Sequence, residues 1–398
     1  MTARAEAVPL PDGARLLHVG PHKTGTTSLQ NALWNARSSL RAQGVHHAGR
    51  GRNPSNAARA VVDQPSPYSV DKPPSMRHWS DLLRDVRGAR EPRVVISSEF
   101  FAWATPDAIR RVVDDLDRDR LHVAVTLRSL VRVMPSMWQQ NVQAGTVTAL
   151  QEWVAGILSD PAKPFWTLHR HDRLIERWAA VVGPDRVTAV VVDDRDHGMV
   201  MRAFEGLLGL SPGTLLPEAD RMNRSLTLVE VEAVRAFNVA FAAEQLPRDL
   251  HARTMRFGAA QLMKARVPPS SEEPVSLPES ALRQVAEIQR EIVANVRASG
   301  VNVIGDLDIL TKAAPPAATH LSADAIPLDV VGSMSVGLLA STGAIRAAGA
   351  SSGPFKFAEP AEVTRVPTYQ LVGAVAARAW RATVGRLPVP GLRRRPRG

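Results

Sequence analysis

Residues Leu16–Leu33 read LLHVGPHKTGTTSLQNAL. The run opens as a short apolar strand, breaks at Gly20-Pro21 and resumes as a helix. Between the two lies a turn crowded with glycine and hydroxyl residues around a single lysine, Lys23. Strand, glycine-rich turn and helix together make a phosphate-gripping loop, because backbone N–H groups at a helix N-terminus meet an anion there. In the ATP-binding version, Gly, four residues and Gly-Lys-Ser/Thr follow one another, with lysine on the terminal phosphates and the hydroxyl on Mg²⁺. Gly20 and Gly25 keep that spacing, yet Thr26 stands where the lysine belongs and the lysine sits inside the loop. The anion cradle survives; the Mg²⁺-and-lysine arrangement does not.

Working outward, four β-branched-rich runs read as buried strands: Leu16–Val19, Val94–Ser97, Val123–Leu127 and Val187–Val192. A short additional strand is expected at Val45–His47, after Gly44 stops the first helix. Helical patterns follow each long strand, among them PDAIRRVVDDL, LVRVMPSMWQQNVQ and MVMRAFEGLLGL. Further helices are expected over Arg170–Val182, after a capping box at Thr227 and Glu230, and from Pro278 to Ala298. This alternation predicts a three-layer α/β core, a parallel sheet flanked by helices, with ligands beyond the carboxyl ends of the strands. Arg50–Ser75, rich in Pro, Ser and Asn, reads as a long loop or lid. The expected divisions are an N-terminal extension (1–15), a P-loop-like domain (16–311) closed by GVNVIGDLDIL, and an Ala/Pro/Gly-rich linker with a basic tail (312–398).

GPHKTGTTSLQ resembles the 5′-phosphosulfate loop of sulfotransferases that use 3′-phosphoadenosine-5′-phosphosulfate (PAPS), in its bacterial and heparan-type form. A second motif points the same way. Arg128 ends the VAVTL strand, and Ser136 follows eight residues later within the next helix. An arginine fork and a serine hydroxyl in those places resemble the family's 3′-phosphate motif. The resemblance implies that Lys23 meets the bridging oxygen of the phosphosulfate. It also implies that Thr24, Gly25, Thr26, Thr27 and Ser28 donate to its oxygens, and that Arg128 and Ser136 hold the 3′-phosphate. The family's Arg-Lys-Gly loop is missing; RMNRSLT, Arg221–Thr227, is the candidate replacement.

Sulfuryl transfer also needs a base for the acceptor proton. The strand VVISSEFFAW delivers Glu99 at its carboxyl end, where the resemblance implies that base. An ion pair between Glu99 and Lys23 or an arginine is the competing account, and His22 is the other base candidate. Phe100, Phe101, Trp103 and Trp138 either line an acceptor pocket or fill the core. His46–His47, HRHD at His169–Asp172 and DDRDH at Asp193–His197 repeat no ligand spacing, so they are expected to be solvated loop residues; no metal is required. The expected activity is PAPS-dependent sulfation of a hydroxyl or amine on a carbohydrate, glycolipid or small metabolite. A catalytically inactive nucleotide-binding module and a P-loop kinase or NTPase are the alternatives.

The formal net charge of +10 favours anionic ligands. Aromatic residues, 5% of the chain, are not interleaved with the basic ones, so no nucleic-acid partner is expected. With no cysteine, thiol nucleophiles and zinc–thiolate sites are excluded. The absence of an apolar leader at the N-terminus and of a membrane span leads to a cytoplasmic expectation. In the tail, Val372, Val375, Ala376, Ala379 and Val384 share one helical stripe opposite Arg378, Arg381 and Arg386. Weak peripheral contact with an anionic membrane is one reading of that stripe; a solvated tail or a helix docked on the core is the other.

Overall fold

The computed structural model describes residues 7–65, 73–217, 224–312 and 325–342. Along them run β1 (Arg15–Val19), α1 (Thr26–Asn35), α2 (Arg37–Ala42), β2 (Val45–His47), α3 (Ser55–Val61), α4 (Arg77–Gly88) and β3 (Arg93–Ser97). A short 3₁₀ helix, Glu99–Trp103, leads to α5 (Pro106–Asp115), β4 (Leu121–Leu127), α6 (Leu130–Gln143), α7 (Leu150–Leu158), α8 (Pro164–His169) and α9 (His171–Val182). Then come β5 (Val187–Val191), α10 (Met199–Leu208), α11 (Leu228–Ala243) and α12 (Arg248–His251). A π-helix, Ala252–Ala259, joins α12 to α13 (Ala260–Met263), and α14 (Glu279–Ala298), β6 (Asn302–Ile304) and α15 (Leu328–Ser341) complete the order.

The strands pair in parallel, in the order β2-β3-β1-β4-β5-β6. Each parallel step needs a crossover, so helices cover both faces and the strands are apolar on both sides. Leu17, Val19, Ile96, Val123 and Val125 face a core completed by α4, α5, α6, α9 and α14. Their neighbours Leu16, Val95, Ala124 and Val190 face the opposite core, built with α1, α2 and α10. This is the expected three-layer, P-loop-like α/β core. The chain leaves β1 toward β2 and β3 on one side and returns to β4 on the other. A crevice therefore opens at the carboxyl end of β1, where the loop after Val19 lies.

The local departures have physical causes. The helix after the loop divides at Ala36 into α1 and α2. Within the stretch read as a loop, Ser55–Val61 forms α3, because its alanines and Val61 bury against the core. A sixth strand, β6, escapes a reading based on apolar runs because its Asn-Val-Ile is exposed or half-buried at the sheet edge. The capping box forms as read: Thr227 accepts from the Glu230 N–H and the Glu230 carboxylate accepts from the Thr227 N–H. Among the described residues a further helix lies beyond Leu310. Helix α15 packs on the π-helix, where Val330 is fully buried and Gly337 lies against Ala259. The basic amphipathic stripe read at Val372–Val384 lies outside the described residues. Among the described residues no helix is long and apolar enough to cross a membrane.

Candidate functional site

The loop is shaped by its backbone. Lys23 adopts a left-handed conformation at φ 68°, and Gly25, the residue before α1, does so at φ 85°. For a lysine this costs about 1–2 kcal/mol, a strain that persists where the surroundings impose it. No side chain caps α1 and no acidic residue occupies its first turn, so the orphan N–H groups there remain donors for an anion. Thr24 and Thr26 turn their hydroxyls inward, onto the carbonyls of Pro21 (2.8 Å) and Gly20 (3.2 Å). That leaves them only backbone donors toward the crevice, whereas Thr27 is exposed and Ser28 half-buried.

The Lys23 ammonium has no hydrogen-bond or ion-pair partner among the described residues. Burial, together with the charges of Lys264, Arg128 and Arg256, lowers its pKa to about 8. A buried cation without a counter-ion is costly, and a bound anion removes that cost. Arg128, at the end of β4, donates from Nη1 to the Lys23 carbonyl (2.9 Å) and pairs through Nη2 with Asp194 (2.6 Å). Its Nε is buried without a partner. Ser136 lies half-buried in α6, with no partner for its hydroxyl among the described residues.

Glu99 opens the 3₁₀ helix after β3, and its Oε2 accepts from Gln30 Nε2 (3.2 Å) and Asn53 Nδ2 (2.7 Å). These partners are neutral amides, and among the described residues no ion pair reaches this carboxylate. The ring of His22 meets Phe100 edge-on at 5.7 Å, and burial outweighs the Glu99 carboxylate to hold its imidazole below the usual range. The guanidinium of Arg59, from α3, stacks over Phe100 at 3.6 Å. Of the four aromatics, Phe101 and Trp138 are wholly core, and Trp103 packs partly against it.

Several residues here were invisible to sequence reasoning. Asn53 and Arg59 come from the stretch read as a loop. Arg256 and Lys264 come from the π-helix and the end of α13, which no motif marked. Conversely, Arg221–Asn223 of RMNRSLT lie outside the described residues, and Arg224 is no anion donor. Its guanidinium is consumed by the buried Glu230 and the carbonyls of Met263, Lys264 and Arg266. The expectation of solvated histidines fails for His46, His47, His169 and His171, all buried. The cause is placement: β2 pairs with β3, with His46 against Asp85 of α4 and His47 against Trp34 of α1, and His169 and His171 flank the junction of α8 and α9. Asp172 is likewise buried, paired with Arg170, while Asp193 pairs with Arg195. Among the described residues no group of three or more His, Asp or Glu side chains is arranged to hold a metal ion.

No protein-family profile and no curated protein matches the chain significantly. Among solved structures, a sulfotransferase from Alicyclobacillus acidocaldarius is similar at 18% identity and a TM-score of 0.39, over 60% of this chain and 98% of that one. A likeness of that size carries no functional argument.

Proposed function

We propose that the chain is a PAPS-dependent sulfotransferase acting on a hydroxyl or amine of a carbohydrate, glycolipid or small-metabolite acceptor. The observation that carries this reading is Lys23: a half-buried cation with no partner among the described residues, in a left-handed turn at the uncapped start of α1. Such a place accepts an anion that brings its own negative charge. Its lysine also lies inside the loop rather than at the helix start, as a Mg²⁺-nucleotide site would require.

When bound, PAPS supplies an electron-poor sulfuryl group on a phosphate leaving group. The acceptor oxygen or nitrogen bonds to sulfur, the sulfur–oxygen bond to the phosphate breaks, and that electron pair stays on the departing 3′-phosphoadenosine-5′-phosphate (PAP). Lys23 steadies the charge that grows on the leaving oxygen, an interaction strongest in the transition state. Backbone N–H groups of Thr24, Gly25, Thr26, Thr27 and Ser28, with the Thr27 and Ser28 hydroxyls, bind the 5′-phosphosulfate. Arg128 and Ser136 bind the 3′-phosphate through Nε, the remaining fork of Arg128 and the serine hydroxyl. Glu99, aimed by Gln30 and Asn53, takes the acceptor proton.

Thermal denaturation tests the nucleotide half of this reading. PAP without Mg²⁺ is expected to raise the unfolding temperature, and ATP with Mg²⁺ is not. The reverse result would assign the loop to an NTPase. Transfer of labelled sulfate from PAPS across acceptor classes tests the other half; PAP binding with turnover on none would leave a binding module.

A further inference from the structure

Beneath the loop, His18 lies fully buried on β1, with Phe204 edge-on at 5.0 Å. Its Nδ1 is 2.8 Å from Ser97 Oγ on β3, and its Nε2 is 3.3 Å from Thr126 Oγ1 on β4. Thr126 Oγ1 is in turn 2.7 Å from Thr24 Oγ1, which contacts the Pro21 carbonyl at 2.8 Å. The direction of every bond follows from counting protons. A carbonyl only accepts, so the single hydroxyl proton of Thr24 goes to Pro21. Thr126 must then donate to Thr24, which leaves Thr126 able only to accept from the ring. The imidazole proton therefore sits on Nε2, and Nδ1 accepts from Ser97. All four contacts are made in this arrangement.

We propose that His18 is a positioning residue: as the neutral Nε2–H tautomer it fixes Thr126, Thr24 and the Pro21 carbonyl, and so holds the backbone of Lys23 left-handed. Its bearing on catalysis rests on the nucleotide reading above; its bearing on loop shape does not. The fold enforces the arrangement from two sides. Three adjacent strands, β3, β1 and β4, each contribute one member, so the loop is tied to the sheet rather than to itself. A Cβ at Gly20 would come within 2.5 Å of His18 Nε2, so glycine is required there to let the ring lie under the turn. Burial supports the neutral form as well, since it lowers the imidazole pKa to about 3. With the hydroxyls of Thr24 and Thr26 turned inward onto backbone carbonyls, Lys23 is the cation the turn itself carries.

The test compares Thr126→Val, which keeps shape and loses the hydroxyl, with Thr126→Ser, which restores it, and adds Ser97→Ala at the far end of the chain. PAP affinity is measured by calorimetry. Amide hydrogen exchange is followed over residues 20–28 and, as a reference, over Val187–Val191. Thr126→Val is expected to weaken PAP about tenfold and Thr126→Ser about twofold or less. Exchange should quicken in the loop but not in β5, with Ser97→Ala showing the same pattern at smaller size. Unchanged loop exchange and affinity in Thr126→Val would overturn the proposal. So would equal loosening of loop and β5 in both Thr126→Val and Ser97→Ala, which would make the cluster ordinary core. If the wild type binds no PAP, the nucleotide reading fails and loop exchange alone still decides the role of His18.

Discussion

The Arg128 guanidinium donates through Nη1 to the carbonyl oxygen of Lys23 at 2.9 Å. The end of β4 thus braces the turn that carries Lys23, while Asp194 holds the other side of the same fork at 2.6 Å. In the proposed reading Arg128 has a second task beside this brace, toward a 3′-phosphate, and the two can be separated by ligand. Arg128→Ala should weaken adenosine 5′-phosphosulfate about tenfold through the lost brace. PAP, which carries the 3′-phosphate, should lose about a further ten- to hundredfold, the range of hydrogen bonds to charged groups. Calorimetry with both ligands checks this; equal losses would confine Arg128 to the brace.

For Lys23 the pH dependence has a definite sign. In the proposed mechanism the protonated form is the active one, and burial among Lys264, Arg128 and Arg256 lowers its pKa in the free protein to about 8. The cation is therefore intact below that pH and lost as pH rises through it. A plot of kcat/KM for PAPS should fall on its basic side near pH 8 rather than above 10. Lys23→Ala should cut kcat by about a hundredfold or more while PAP still binds. A rate flat to pH 10, or a mutant with near-normal turnover, would remove Lys23 from the leaving-group position.

Glu99 gives a sharper test because its partners are neutral. Replacing it with glutamine preserves size and leaves Gln30 and Asn53 in place, so PAP affinity should hardly change. Turnover should fall about a hundredfold or more, the usual contribution of a positioned base. Asn53→Leu, which removes the 2.7 Å donor but not the carboxylate, should lie between wild type and Glu99→Gln. Wild-type turnover in Glu99→Gln would pass the role to His22, whose imidazole burial keeps neutral.

The loop was legible in the sequence because its determinants are local. The spacing of Gly20 and Gly25, the position of Lys23 and the helix that follows all lie within a few residues. The buried strands were legible for a similar reason, since parallel strands covered on both faces leave unbroken β-branched runs. What stayed hidden depends on contacts far apart in the chain. His18 meets Ser97 and Thr126 across 79 and 108 residues, and no periodicity marks such a meeting. Asn53 sat in a stretch whose prolines and polar residues outweighed the short alanine-rich pattern of α3. Arg256 rides on a π-helix, a form whose spacing belongs to neither sequence template. Helix α15 was lost among small residues, the composition that close packing of helices uses.

That packing decides where the chain can be cut. Helix α15 rests on the π-helix: Val330 is fully buried, and Asp329 pairs with Arg266, which also holds Glu272 and the buried Glu230. Gly337 lies so close that a Cβ would come within 2.5 Å of the Ala259 Cα, a backbone atom that cannot swing aside. Deletion after Thr311 should therefore destabilise the whole fold, because it uncovers the π-helix and leaves Arg266 with one partner fewer. Deletion after Thr342 should leave the unfolding temperature and PAP affinity unchanged. Gly337→Val should cost about 1–3 kcal/mol by overpacking, measured by denaturant unfolding. The two truncations also separate the tail's roles, since only residues beyond Thr342 carry the basic stripe. If those residues bind membranes, the full chain should sediment with anionic vesicles at low salt and the Thr342 truncation should not. Equal stability of the two truncations would show that α15 contributes nothing to the fold.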